Sequence, residues 1–318
     1  MELERRIRII HFPGLFINGG VETFLMNVVR NINHERFQFD FCVPREEKGP
    51  YDNELIRAGC HIINIPRIRE VGIRQYIKMV KRIISENGPY DVAHIHSAGF
   101  NGVYSVLAAK EAGIRRIIYH VHSTSDESIR GVPLAKLYRN IVSIVVKRLC
   151  SHYLACSEEA ASQVYGHKYL ENSEVIILKN GIDLERFKPY ELKELLAIRR
   201  KYGIPDNAIV VGNASRFVKG KNQEFLIKLT EDMSKKKKFF LLLAGDGPTK
   251  SECELLAERL GLKKTVKFLG NLSQEKMPEF YNALDLFLFP SEHEGLGNVV
   301  IEAQACGIPC IVSTGVPP

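Results

Sequence analysis

Leu178-Lys179-Asn180-Gly181-Ile182-Asp183, followed closely by Phe187-Lys188-Pro189, is the stretch on which the reading of the fold turns. Turn-forming residues cluster there between two regions of regular hydrophobic periodicity, so the chain is read as two domains, 1–180 and 181–318. Upstream, short β-branched runs bounded by Gly, Pro or Asn alternate with amphipathic segments. Strands are expected at 7–12, 37–43, 61–65, 92–96, 116–121, 153–156 and 175–178, with helices between most of them. Downstream the alternation restarts, with strands at 209–214, 239–244, 265–268, 286–289 and 310–313 and helices including 222–233 and 249–260. Near-continuous apolar strands joined by helical crossovers imply a parallel sheet covered on both faces. The expected fold is therefore α/β: two Rossmann-like, doubly wound domains in series, facing a cleft at the carboxyl ends of their strands, where ligands of open α/β sheets bind.

The bulk numbers agree. At 318 residues the chain is about twice the common domain size. A hydrophobic content of 45% with 25% charged residues is that of a folded globular protein. No stretch approaches the ~18 uninterrupted apolar residues of a membrane span, and MELERRIRII is followed by no signal-peptide core, so a cytoplasmic protein is expected, with the inner face of the cell membrane as a candidate location. The seven cysteines include no CxxC pair, and most sit in apolar runs, as reduced buried thiols do.

The net charge of +7 argues against a dedicated nucleic-acid binder and for contact with phosphates or an anionic surface. Arg67, Arg69, Arg74, Lys78, Lys81 and Arg82 fall close together. Arg130, Lys136, Arg139, Lys147 and Arg148 lie in a stretch without acidic residues from Ser128 to Ser157. Both are read first as solvated helix faces and second as faces for an anionic membrane.

Several short motifs carry chemistry. Pro13-Gly14-Leu15-Phe16-Ile17-Asn18-Gly19-Gly20 precedes a helix, and a glycine pair at a helix start lets backbone N–H groups approach an anion. The GxGxxG spacing of nicotinamide and flavin sites is missing. Ser215-Arg216-Phe217-Val218-Lys219-Gly220-Lys221-Asn222 sets Arg216 and Lys221 at a strand-to-helix turn, where they could neutralise a diphosphate, the guanidinium by forked hydrogen bonds and the ammonium as a point charge. In Pro290-Ser291-Glu292-His293-Glu294-Gly295-Leu296-Gly297-Asn298, the N–H groups of Leu296, Gly297 and Asn298 could hold phosphate oxygens at a helix start. Glu294 and Glu302 are separated by ~12 Å if the eight intervening steps are helical, too far for a hydrolase carboxylate pair but suited to the two ends of one elongated ligand. No acidic cluster offers a divalent-metal site, and Asp246 reads as a turn residue.

The ordered set Gly19-Gly20-Val21-Glu22, Asn180-Gly181-Ile182-Asp183, Arg216 with Lys221, Gly245-Asp246-Gly247-Pro248 and Glu294-x7-Glu302 resembles the family 4 retaining glycosyltransferases of the GT-B fold, in particular bacterial enzymes of exopolysaccharide and capsule synthesis. The resemblance spans almost the whole chain. It implies a metal-independent hexosyltransferase using a nucleotide-sugar donor, with UDP the expected carrier, a glycan or lipid-linked sugar acceptor, and no cofactor. By position, Gly20 and less directly Gly19 would meet the diphosphate from one side and Arg216 and Lys221 from the other. Glu294 would hold the transferred sugar and Glu302 the ribose, with a base pocket near Gly270-Asn271-Leu272 formed largely by backbone. A histidine facing the donor sugar is also implied. His120 and His122 both qualify, since strand alternation sends them to one face, and His122 is preferred because it stands at the strand end. His94 and His96 repeat the arrangement and are read as acceptor-side or structural.

Relatives continue beyond Thr314-Gly315-Val316-Pro317-Pro318, so the resemblance implies that the second domain is incomplete. Two other readings remain open: a nucleotide-sugar 2-epimerase on the same scaffold, which would use Glu294 and the histidines for proton transfer, and a non-catalytic nucleotide-sugar binding module.

Overall fold

The structure is a computed structural model that describes residues 5–16, 19–96, 99–122, 135–172, 174–235, 237–292, 294 and 297–316. It separates into two compact units, Met1–Gly181 and Ile182–Pro318.

The first unit is built on β1 (Ile7–Phe12), β2 (Phe37–Val43), β3 (His61–Asn64), β4 (Val92–His96), β5 (Arg116–Val121), β6 (His152–Ala155) and β7 (Val175–Ile177). They form one parallel sheet in the order β3-β2-β1-β4-β5-β6-β7. The chain winds outward from β1 to β3, then returns to lay β4 on the other side of β1. The β1/β4 junction is therefore the switch point at which a crevice opens beyond the strand ends.

The second unit repeats the scheme with β8 (Ile209–Ala214), β9 (Phe239–Ala244), β10 (Val266–Gly270), β11 (Leu286–Phe289) and β12 (Cys310–Val312), ordered β10-β9-β8-β11-β12 and again parallel. Its switch point is the β8/β11 junction. Five of the six residues of β8 are buried, as are five of the six of β9, because helices cover both faces. One core groups Phe280, Tyr281 and Phe287, all 0% exposed, with Val210 and Leu242. The opposite face packs Leu226 and Ile227 of the helix Gln223–Ser234 against Leu241 and Leu243. Each such side chain contributes on the order of 1.5–3 kcal/mol by leaving water.

Seven of the twelve expected strands have the observed bounds, and most of the others shift by a residue at an end, where ladders fray. β10 differs more: it runs on to Gly270 through a register shift between Phe268 and Gly270. That irregularity lets the Gly270 carbonyl accept from Gly245 N (2.8 Å), locking two loops at the sheet edge.

The basic segments fall on helices. Ile73–Asn87 turns Tyr76, Val80 and Ile84 inward at helical spacing and leaves Arg74, Lys78 and Arg82 exposed. Ala135–Leu149 exposes Leu137 (52%), Ile141 (41%) and Ile144 (64%) beside its basic residues; Arg130 lies outside the described residues. All seven cysteines are unpaired, and burial pushes the Cys60 and Cys306 thiols up to about 12. No described helix is long and apolar enough to cross a membrane.

Candidate functional site

In the second unit Arg216, Lys221 and Glu294 lie in the loops that leave the carboxyl edge of the sheet around the β8/β11 switch point. β8 ends at Ala214, and the next residues turn sharply so that Arg216 is exposed. This turn is held from beneath. Asn213 donates to Leu288 O (2.8 Å) and accepts from Ser215 Oγ (2.6 Å), while buried Gln223 donates to Ser215 Oγ (2.9 Å) and to Arg216 O (3.0 Å). The sequence reading missed Asn213 and Gln223, whose signal was only that of polar residues inside a strand and at a helix start.

Above the turn, Phe217 N donates to Asp246 O (2.9 Å), so the Gly245-Asp246-Gly247-Pro248 loop rides directly on the Arg216 backbone. Gly245 is required there: its φ is +129°, and a Cβ would stand 2.0 Å from the Ser215 carbonyl oxygen. Gly245→Ala is expected to destabilise the second unit by about 2–4 kcal/mol and to displace Arg216. Thermal melts beside donor-binding measurements check this.

Lys221, in a short 3-10 turn, points to the loop after β11. It is ion-paired with Glu294, donates to Ser291 Oγ (3.3 Å) and stands 5.4 Å from the centre of the Phe289 ring. The Glu294 loop is tied on both sides: Glu292 N donates to Gly220 O (2.9 Å), Glu294 N donates to Gly315 O (3.0 Å), and Ser313 donates to Ser291 O. Three loops, from β8, β11 and β12, are thus joined into one frame that presents Arg216, Lys221 and Glu294.

The structure differs from the helical spacing argument for the two glutamates. The helix is Asn298–Ala305, preceded by left-handed Gly297 (φ 69°), so Glu294 stands in the loop and only part of the interval to Glu302 is helical rise. Gly297 and Asn298 do stand at the helix start, and Leu296 lies outside the described residues. Glu302 is 2% exposed, and its Oε2 accepts from Tyr281 Oη (2.7 Å). Burial pushes its carboxyl up to about 7, opposed by the Tyr281 hydrogen bond and the Arg186 charge. Because the folded state holds this proton more tightly than the unfolded chain, stability is lost as pH rises from the ordinary carboxylate range through about 7. Glu302→Gln is therefore expected to gain on the parent by up to about 3 kcal/mol at pH 8 and by little at pH 5, read from denaturant curves at both. Asn271 is exposed and Leu272 packs on the core, both just past β10.

In the first unit, Gly20 opens the helix Gly20–Asn31 and Gly19 caps it in extended backbone, its carbonyl accepting from Thr23 N (3.1 Å) and Thr23 Oγ1 (3.0 Å). Glu22 occupies the same first turn, so the helix start carries a carboxylate. His120 is 0% exposed and packs edge-on to Phe24, with ring centroids 5.2 Å apart, whereas His122, just past β5, keeps part of its surface. Both belong to a larger group with His11, His94 and His96, which register alone brings together.

Two parallel doubly wound sheets in series are the frame of the two-domain glycosyltransferases, and solved structures agree: Anabaena HepE, crystallised with UDP and glucose, superposes with a TM-score of 0.78 over 98% of this chain and 82% of that one, at 21% identity. Residues 18–186 match the pattern described as Glycosyltransferase Family 4, and residues 196–318 match Glycosyl transferases group 1. The protein named glycosyltransferase EpsF of Bacillus subtilis (strain 168) is 34% identical over 97% of this chain and 79% of its own length. The Escherichia coli UDP-Gal:alpha-D-GlcNAc-diphosphoundecaprenol alpha-1,3-galactosyltransferase is 26% identical over the same shares. The chain belongs to glycosyltransferase family 4.

Proposed function

We propose that this glycosyltransferase moves a hexosyl group from a UDP-sugar to a glycan or lipid-linked sugar acceptor in exopolysaccharide or capsule synthesis, with retained anomeric configuration and no metal on the diphosphate. The observation that carries the reading is the convergence of Arg216, Lys221 and Glu294 at the switch point of the second sheet. Two cations fixed at a strand end can take the charge that grows on a departing diphosphate without reorganising, the kind of electrostatic preorganisation that dominates many active sites. Lys221 and Glu294 are ion-paired. Beside the ammonium, the Glu294 carboxylate is placed to accept from sugar hydroxyls.

Glu302 and the Asn271-Leu272 segment are assigned to ribose and base, Gly297 and Asn298 to phosphate oxygens. In the first unit, Gly19, Gly20 and His122 are assigned to the donor and His120 to supporting it. The UDP in the HepE crystals and the names of the relatives support carrier and acceptor class. The exposed Leu137, Ile141 and Ile144 on a basic helix support contact with an anionic membrane at the cytoplasmic face.

A mass-spectrometric screen of nucleotide sugars, with and without lipid-diphosphate-linked sugar acceptors, tests the reading. A product one sugar heavier, with stoichiometric UDP, is expected only when acceptor is present. Interconversion of nucleotide sugars without acceptor would show an epimerase, and donor binding with no turnover a binding module.

A further inference from the structure

β1, β4, β5 and the residue just past β5 carry five histidines to one place. His11 lies opposite His94 in the ladder and His96 opposite His120, and strand alternation turns His96 and His122 the same way as His94 and His120. Ring centroids are 4.0 Å apart for His94 and His96, 3.9 Å for His120 and His122, and 5.2 Å for His11 and His94. Phe39, Phe41 and Phe24 line the group.

Two contacts link rings: His11 Nδ1 to His96 Nε2 at 3.1 Å, and His96 Nδ1 to His122 Nε2 at 2.9 Å. A neutral imidazole has one donor and one acceptor nitrogen, so His96 can serve both contacts. Five ring nitrogens are then left over: His11 Nε2, His94 Nε2, both of His120 and His122 Nδ1 are buried without a hydrogen-bond partner among the described residues. Each costs about 1–3 kcal/mol if nothing meets it, and native interiors hold few such groups.

We propose that this cluster binds one divalent first-row transition-metal ion of the zinc class, with a ring nitrogen each from His11, His94 and His96 as ligands. Ligand atoms of these three residues lie within 4.8 Å of one another. The His11–His96 separation of 3.1 Å is already close to the ~3.3 Å between two nitrogens on a tetrahedral ion with bonds of about 2.0–2.1 Å. An all-imidazole set suits zinc, nickel or copper and not magnesium or calcium, which want oxygen. The buried Asp40 carboxylate on the neighbouring β2 is itself paired with Arg8 (2.9 Å).

The site is in the first unit, whereas the cations assigned to the diphosphate are in the second, so the inference does not depend on the proposed reaction. It has one consequence for that reaction: ligation through His96 Nε2 would leave Nδ1–H to donate to His122 Nε2, fixing the tautomer of His122.

The test is titration of the chelator-treated, dialysed full chain with Co²⁺, followed by competition with Zn²⁺. One equivalent of Co²⁺ is expected to give visible d–d absorption with micromolar or tighter affinity, to be displaced by Zn²⁺ and not by Mg²⁺, and zinc is expected to raise the Tm. His94→Gln should weaken binding by about 100-fold or more, whereas His61→Gln, on an exposed ring of β3, should not. Should His94→Gln fail to fold, the parent protein decides alone. Absence of the absorption and of the zinc-induced Tm rise would overturn the proposal, as would a folded His94→Gln protein that binds like the parent.

Discussion

Arg216→Ala and Lys221→Ala are each expected to lower kcat by about 10²-fold or more while leaving the protein folded, because each removes a charge whose interaction strengthens as the diphosphate departs. The structure separates the two. Arg216 is exposed, so its loss should leave the melting curve nearly unchanged. Lys221 is half-buried and paired with Glu294, so its removal leaves a carboxylate without its counter-charge at the place where the diphosphate must sit. Lys221→Ala should therefore be the more damaging of the two in donor affinity as well as turnover. Steady-state kinetics beside thermal melts check both. Normal specific activity in the folded variants would mean that the two residues are ordinary surface cations.

Glu294→Ala is expected to lower kcat/KM by about 10²-fold and to narrow the gap between the preferred donor sugar and its epimers. A carboxylate that accepts from particular hydroxyls penalises an epimer that leaves it unpaired, and alanine cannot. Because Lys221 and Glu294 touch, their losses should not add: a double-mutant cycle is expected to show a coupling of about 0.5–3 kcal/mol in transition-state stabilisation. Kinetics with a panel of epimeric donors on four proteins measures both effects. Unchanged sugar discrimination in Glu294→Ala would move the sugar contact elsewhere.

Much of this site was legible in the sequence because it is local. Arg216 and Lys221 share one strand-to-helix turn, and Glu294 stands in the loop that follows another strand, so spacing alone put each near a strand end. The twelve strands were legible for a related reason: parallel strands covered on both faces must be apolar almost throughout, and helical crossovers must separate them. What spacing could not supply was whatever depends on burial or register. The eight-residue interval between the glutamates was read as helical rise, yet the helix begins only at Asn298. The near-complete burial of Glu302 under Tyr281 likewise has no local signature. The histidine group shows the limit most clearly. His11 is far from His94 and His96 in the chain, and only the pairing of β1 with β4 sets it beside them.

The central claim is that the edge of the second sheet holds a diphosphate through Arg216 and Lys221, and calorimetry with UDP and with uridine tests it most directly. The account predicts that the parent protein binds UDP far more tightly than uridine, and that a folded Arg216→Ala, Lys221→Ala double variant binds the two almost equally, with the affinity for uridine little changed. A double variant that keeps the parent's preference for UDP over uridine would contradict it.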